Sequence, residues 1–188
     1  MTAVPQSRHR YTYEEYLSFE GDSETKHEFF AGEIYAMAGG SLRHSALASR
    51  ISGALEAARR PGCIAFQSDM RLRVLATGRA AYPDAALVCG PPERDPADTK
   101  GTTITNPTLL VEVLSPSTEE VDRGDKWRDY QRISSLREYV LVSQEPRVEI
   151  YRRHPSGTWE YRDVREGTVM LESGATLDLS LLYADLPE

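Results

Sequence analysis

From Ser41 onward the apolar residues Leu47, Ala48, Ile51, Leu55 and Ala58 recur at helical spacing until "RRPG" interrupts them, which predicts a first long helix. The period then shortens. Ile64, Phe66, Met70, Leu72 and Val74 alternate with Gln67, Asp69, Arg71 and Arg73, the pattern of a strand with one buried face. "YPDAALVC" and "TLLVEVL" read as two more short strands, and the near-continuous apolar character of the second suits a strand covered on both sides. A second helix is expected from Glu119 to Ile133, with Trp127, Tyr130 and Ile133 as its apolar stripe. "EYVLV" follows as a buried strand, and "RVEIYRR", "TWEYRDV" and "ATLDL" suggest further antiparallel strands. Upstream, Thr12 and Glu15 form a capping-box pattern for a short helix fading near Gly21, and "KHEFFAGEIYAMAGG" reads as a hairpin about Ala31 and Gly32. "GPPERDPADTKGTTITNP" reads as a mobile surface loop. This order predicts an α/β (α+β) fold, a mixed central sheet flanked by helices with additional antiparallel strands.

Composition narrows the picture. A length of 188 residues predicts one domain spanning 1–188, and the 40% apolar, 27% charged make-up is that of a soluble globular protein. No window approaches a membrane span and the N-terminus lacks a signal-peptide core, so a cytoplasmic protein with no membrane partner is expected. Net charge of -7 argues against coating nucleic acid by bulk electrostatics, though not against an enzyme acting on it. The arginines at 71 and 73, 128 and 132, and 152 and 153 read as solvated faces. Cys63 and Cys89 belong to no CxxC or Cys/His cluster, so neither a zinc site nor a disulfide is expected and both read as buried small side chains.

The candidate chemistry starts at Glu112, a carboxylate inside the apolar run "LLVEVLSPST". Buried and unpaired, it would be costly to ionise unless a cation or hydrogen bonds compensated it. Asp84, after Pro83 at the start of the preceding strand, is placed to share a divalent cation with it, since neighbouring strands lie about 4.8 Å apart. Asp122, Lys126 and Tyr130 follow at i, i+4 and i+8 along one side of the next helix, which aims Lys126 at the same region if Tyr130 packs on the sheet. A lysine beside metal-bound carboxylates can orient a water and stabilise charge on a phosphate. The competing reading makes Lys126 the surface partner of Asp122 or Asp129, and Asp84 a turn cap. His44, at the start of the first long helix, is a further candidate for phosphate contact or water positioning.

The succession "GEIYAMAGGSLRH", "YPDAALV", "LLVEVLSPST", Asp122, Lys126, Tyr130 and "REYVLV" closely resembles the Uma-type restriction-endonuclease family, formerly a domain of unknown function, within the PD-(D/E)XK nuclease superfamily. The resemblance covers about 11–182. It implies a restriction-endonuclease-like core: a helix, a three-stranded meander, a second helix and a further strand. It also implies Asp84 and Glu112 as ligands of Mg²⁺ or Mn²⁺, with Glu28 of "KHEFFAGEI" completing the metal site. The lysine expected two residues after Glu112 is replaced by Leu114, and the resemblance assigns that role to Lys126 on the following helix.

The expectation is therefore a metal-dependent endonuclease hydrolysing DNA phosphodiester bonds, acting as a homo-oligomer, most simply a dimer because two sites would serve two strands. The alternative is a catalytically inactive nuclease-fold module for binding or assembly. Glycoside hydrolysis by paired carboxylates is a weaker rival, because it leaves Lys126 without a task.

Overall fold

The computed structural model describes residues 9–187 and contains both long helical segments and a mixed sheet between them. The part of the N-terminus read for a signal core over residues 1–8 lies outside the described residues. Helix α1 (Tyr13–Asp22) starts as predicted: Thr12 accepts from Glu15 N, and Glu15 in turn accepts from Thr12 N. Strands β1 (His27–Phe30) and β2 (Glu33–Ala36) form the predicted hairpin, with Ala31 and Gly32 both at positive φ in its two-residue turn. Helix α2 spans Leu42–Ala57 and is capped by Ser41.

The next stretch departs from prediction. The alternating run 64–74 is two strands, β3 (Cys63–Gln67) and β4 (Arg71–Val74), which belong to different sheets. A turn at 68–70, closed by Met70 N donating to Gln67 O, redirects the chain without disturbing the alternation that a single strand would also have given. Strands β5 (Arg79–Ala81) and β6 (Ala85–Cys89) follow. The stretch expected to be a mobile loop contains β7 (Thr103–Ile104), paired parallel to β4, and Asp95, Asp98 and Thr103 within it are buried. Its proline and glycine mark irregular backbone, and its buried polar side chains, Asp95, Asp98 and Thr103, are spent on internal bonds.

Strand β8 (Leu109–Val113) leads to helix α3 over 119–130, in which Glu119–Val121 and Trp127–Tyr130 are α-helical and Asp122–Lys126 is wound as a π-helix. Strands β9 (Glu138–Val142), β10 (Val148–Arg153), β11 (Trp159–Val164), β12 (Thr168–Met170) and β13 (Thr176–Asp178) precede a short helix α4 (Leu179–Leu182). A six-stranded sheet runs β11-β10-β9-β8-β6-β3 and a five-stranded one runs β2-β1-β5-β4-β7. Within the larger sheet β8 and β9 are parallel, as a helical crossover through α3 requires, and the other pairs are antiparallel.

Alternate residues of β8 serve two cores. Leu109, Val111 and Val113 pack with Leu47, Ile51 and Leu55 of α2 and with Val169 and Leu177 of the β12–β13 hairpin. Leu110 and Leu114 pack with Tyr130 and Ile133, with Tyr139 and Leu141 of β9, and with Leu72 and Val74 of the smaller sheet. Glu112 points into this second layer, between the sheets.

Two further expectations are corrected. Cys63 and Cys89 are opposite each other in the β3–β6 register and form a disulfide, with Cys89 exposed. Sequence distance concealed a pairing that antiparallel register creates. Arg71 is not on a solvated face: it is 6% exposed and bonded to Asp98.

Candidate active site

Five elements bring the predicted residues together. In the β6–β8 register Ala85 faces Val111, and continuing it by one residue sets Asp84, in the bend before β6, across from Glu112. Directly opposed side chains on such strands start about 4.5–5.5 Å apart at Cβ. Asp84 Oδ2 accepts a 2.7 Å hydrogen bond from Val113 N, which fixes the carboxylate beside the end of β8. Glu112, 3% exposed, accepts from Tyr130 Oη at 2.9 Å and from Lys126 Nζ at 3.2 Å.

The lysine arrives from α3. The wide π turn carries both Asp122 and Lys126 inward, each buried, whereas Arg123 and Asp125 remain partly exposed. Such a turn, inserted in an α-helix, is a recurrent device at functional sites. Lys126 Nζ lies 2.9 Å from Glu28 Oε1, 3.0 Å from Asp122 Oδ1 and 3.2 Å from Glu112 Oε1. Glu28 therefore belongs to the cluster and is not an exposed hairpin residue. The surface-pair reading of Lys126 finds its Asp122 partner but not its surface: both side chains are buried, and Asp129 is turned away to a buried ion pair with Arg79.

The electrostatics are lopsided, with three carboxylates converging on one ammonium. Burial drives the Glu112 carboxyl well above its usual range; Lys126 opposes this, while Asp122, Asp84 and Glu28 add to it. Burial alone would push the Lys126 ammonium down, but Glu112, Glu28 and Asp122 overcome it and hold Nζ well above its ordinary value. Tyr130 is likewise held protonated by burial and by the neighbouring Glu112. Asp122 Oδ1 touches Nζ outside hydrogen-bonding angles, so this buried oxygen has no hydrogen-bond partner among the described residues.

His44 approaches from α2, with Nε2 3.4 Å from Asp84 Oδ2. Gly40 makes room for it, because a Cβ there would come within 2.6 Å of His44 Nδ1. The Asp84 contact raises the imidazole's pKa against the opposing effect of burial. All seven candidates, Glu28, Asp84, His44, Glu112, Asp122, Lys126 and Tyr130, thus gather around the end of β8.

Sequence reasoning missed two supporting residues. Tyr139 donates to Asp122 O at 3.0 Å, and its hydroxyl inside the apolar "EYVLV" was the available signal. Arg79, which holds Asp129 and lies 3.9 Å from the Phe30 ring centroid, had no sequence signal.

The donor set is all carboxylate oxygen, which suits a hard divalent ion such as Mg²⁺ or Mn²⁺. Among the described residues no three His, Cys, Asp or Glu side chains converge at ligand distance. Mg²⁺ is commonly bound by one or two carboxylates together with waters and substrate phosphates, so a pair suffices. The orphaned Asp122 oxygen and the excess of carboxylate over ammonium fit a site made for added positive charge.

Residues 13–184 match the model of the Uma2 family, described as "Putative restriction endonuclease". The chain belongs to the Uma2 family. Relatives of this Uma2 protein include two uncharacterised proteins of Synechocystis sp. (strain ATCC 27184 / PCC 6803 / Kazusa). Slr1290 is 41% identical over 149 residues, which is 78% of this chain and 76% of that one. Sll1609 is 36% identical over 151 residues, 79% and 84% of the respective chains. The crystal structure of a putative nuclease belonging to DUF820 from Anabaena variabilis ATCC 29413 superposes with a TM-score of 0.71 at 21% identity, over 92% of this chain and 97% of that one. That likeness establishes the shared nuclease-like fold. No helix among the described residues of this Uma2 protein is long and apolar enough to cross a membrane.

Proposed function

We propose that this protein is a Mg²⁺- or Mn²⁺-dependent endonuclease that hydrolyses DNA phosphodiester bonds. The observation that carries the reading is the placement of Asp84 opposite Glu112 with Lys126 Nζ 3.2 Å from the glutamate. Membership of a family described as restriction endonucleases supports it. Asp84 and Glu112 would hold the ion, which when bound supplies Lewis acidity at a phosphoryl oxygen and a more acidic water. Tyr130 fixes the rotamer of Glu112 through its 2.9 Å bond, and the Val113 amide fixes Asp84. Lys126 keeps its proton, so its role is to orient a water and to stabilise negative charge on the scissile phosphate. It serves there in place of the lysine that Leu114 does not supply. His44 is positioned by Asp84 and Gly40 to contact phosphate or water at the same edge. We take 1–188 as one nuclease-like unit acting in the cytoplasm, with a dimer the natural form for cutting both strands.

The test is plasmid nicking in Mg²⁺ or Mn²⁺ by the wild type, D84N, E112Q and K126M. A drop of at least about 10²-fold in each variant is expected. Nicking that survives all three substitutions places the activity elsewhere or in a contaminant. A wild type that neither nicks DNA nor binds the ions by calorimetry points instead to the inactive binding or assembly module.

A further inference from the structure

The geometry points to a second DNA contact, on the β10–β11 side of α3: a backbone phosphate held by Arg137 and Arg153 beside Trp159. It rests on the nuclease reading above and adds a strand-holding surface to it.

The β9–β10 register pairs Arg152 with Glu138, and continuing it by one residue sets Arg153 across from Arg137. Arg153 N donates to Arg137 O at 2.7 Å, so the two arginines are cross-strand neighbours. Like charges directly opposite destabilise a strand pair. Arg152 and Arg147 on the same strand segment have carboxylate partners, Glu138 and Asp163, whereas no carboxylate among the described residues lies within ion-pair distance of Arg137 or Arg153. Burial, and then the nearby Arg137 guanidinium, lower the Arg153 pKa.

Arg153 is nonetheless held in place. Its Nη2 donates to Gln131 O at 2.6 Å and Ile133 O at 3.0 Å, and its Cζ sits 4.6 Å from the Trp159 ring centroid. Its Nε is enclosed without an acceptor among the described residues, and Arg137 is exposed. Arg153, fixed by its carbonyl bonds, and the exposed Arg137 beside it, neither with a carboxylate partner among the described residues, match an oxyanion such as phosphate.

Aromatic surroundings favour a polynucleotide over a free anion. Trp127 stacks on Tyr151 at 4.1 Å and meets Trp159 edge-on at 4.8 Å, and Tyr151 neighbours Tyr161, which is 49% exposed. Arginines interleaved with aromatic rings hold single strands by backbone charge and base stacking. Glu112 faces Leu141 in the β8–β9 register, four residues beyond Arg137, or about 13 Å along the strand. A DNA strand crossing Glu112 would reach the arginines within a few nucleotides.

Both tryptophans of the protein lie in this patch, so their emission reports on it, and because Trp127 also adjoins Lys126 the comparison with R137E separates the patch from the active site. Binding of a fluorescein-labelled single-stranded oligonucleotide to metal-free protein is measured by anisotropy across a salt series, with tryptophan emission recorded in parallel. The wild type should quench on binding; R137E should weaken binding about tenfold and flatten the salt slope by about 0.7 for each phosphate that is no longer neutralised. R153K, which keeps the charge but removes the fork, should weaken it several-fold, and R59A, at the far end of α2, should do nothing. Unchanged affinity and slope in both R137E and R137A overturn the proposal, as does binding without any change in emission. Quenching by inorganic phosphate but not by DNA reassigns the patch to a small anion and overturns the DNA assignment. A wild type that binds through the patch yet never nicks sinks the nuclease reading alone, whereas nicking with R137E binding like wild type sinks the patch alone.

Discussion

Arg71 and Lys126 are both cations buried under carboxylates, but their clusters are balanced differently. Arg71 meets one carboxylate: Nη2 donates to Asp98 Oδ2 at 3.0 Å and Nε donates to Thr103 Oγ1 at 2.8 Å. Asp98 Oδ2 also accepts from Thr102 N at 3.0 Å and Thr103 Oγ1 at 2.6 Å. Although burial works against it, these bonds and Arg71 bring the Asp98 carboxyl down to about 2. Around Lys126 three carboxylates share one ammonium, Asp122 Oδ1 has no hydrogen-bond partner among the described residues, and Glu112 is driven up. A one-to-one, fully bonded pair secures a fold. An excess of buried negative charge is tolerated where a cation or substrate is to complete it.

The largest expected effect is on the balanced side. D98N leaves Arg71 buried without its anion and should cost about 3–5 kcal/mol in urea denaturation at neutral pH. The depressed pKa sets the pH window. Asp98 contributes fully above its unfolded value of about 3.9, and that stability is lost as pH falls from about 4 towards 2, a decline D98N should lack.

The unbalanced side should answer to metal. Mn²⁺ at about 100 times its Kd should stabilise the wild type by about 2.7 kcal/mol in a thermal-shift assay. D98N should keep that shift, while D84N and E112Q should lose it; an equal shift in E112Q would move the ion out of this cluster.

Without metal, E112Q should reverse the sign seen for D98N. An amide oxygen can still accept from Lys126 and Tyr130, and one uncompensated charge is gone. A gain of about 1 kcal/mol at neutral pH is expected. Because the Glu112 pKa is raised, the wild type loses stability as pH rises from the unfolded value of about 4.3 through the folded one, so the gap to E112Q should widen across that range. A destabilisation above about 2 kcal/mol would make Glu112 a structural partner like Asp98 and end the contrast.

The contrast was half legible in the sequence. Glu112 stood out because nothing apolar about its strand explains a charge, and the i, i+4, i+8 spacing of Asp122, Lys126 and Tyr130 put them on one side of a helix even though the real turn is π-wound. The antiparallel order of β6 and β8 turned a guess about Asp84 into a register position. Arg71 and Asp98 were misread because they lie 27 residues apart, in an alternating strand and a Pro/Gly-rich loop, and neither stretch carries a local mark of their union. Cys63 and Cys89 failed for the same reason. Local period reveals which face a residue takes, and pairings across distant elements are set by topology that short windows do not contain.

The smallest effect probes the edge of the unbalanced cluster. His44 lies 3.4 Å from Asp84 and its pKa is raised by that contact, so folding favours the imidazolium relative to the unfolded chain. Its contribution is then present below the unfolded value of about 6.5 and is lost as pH rises through the higher folded value. H44Q should cost less than about 1 kcal/mol at pH 6 and nothing at pH 9. Chemical denaturation at the two pH values reads this directly. Filling the cluster with Mn²⁺ places a second cation near Asp84, which should repel the imidazolium and move the same transition to lower pH. A His44 transition that ignores Mn²⁺ would mean that Asp84 serves the imidazole alone, and the excess of negative charge would then belong to Glu28, Glu112 and Asp122 around Lys126.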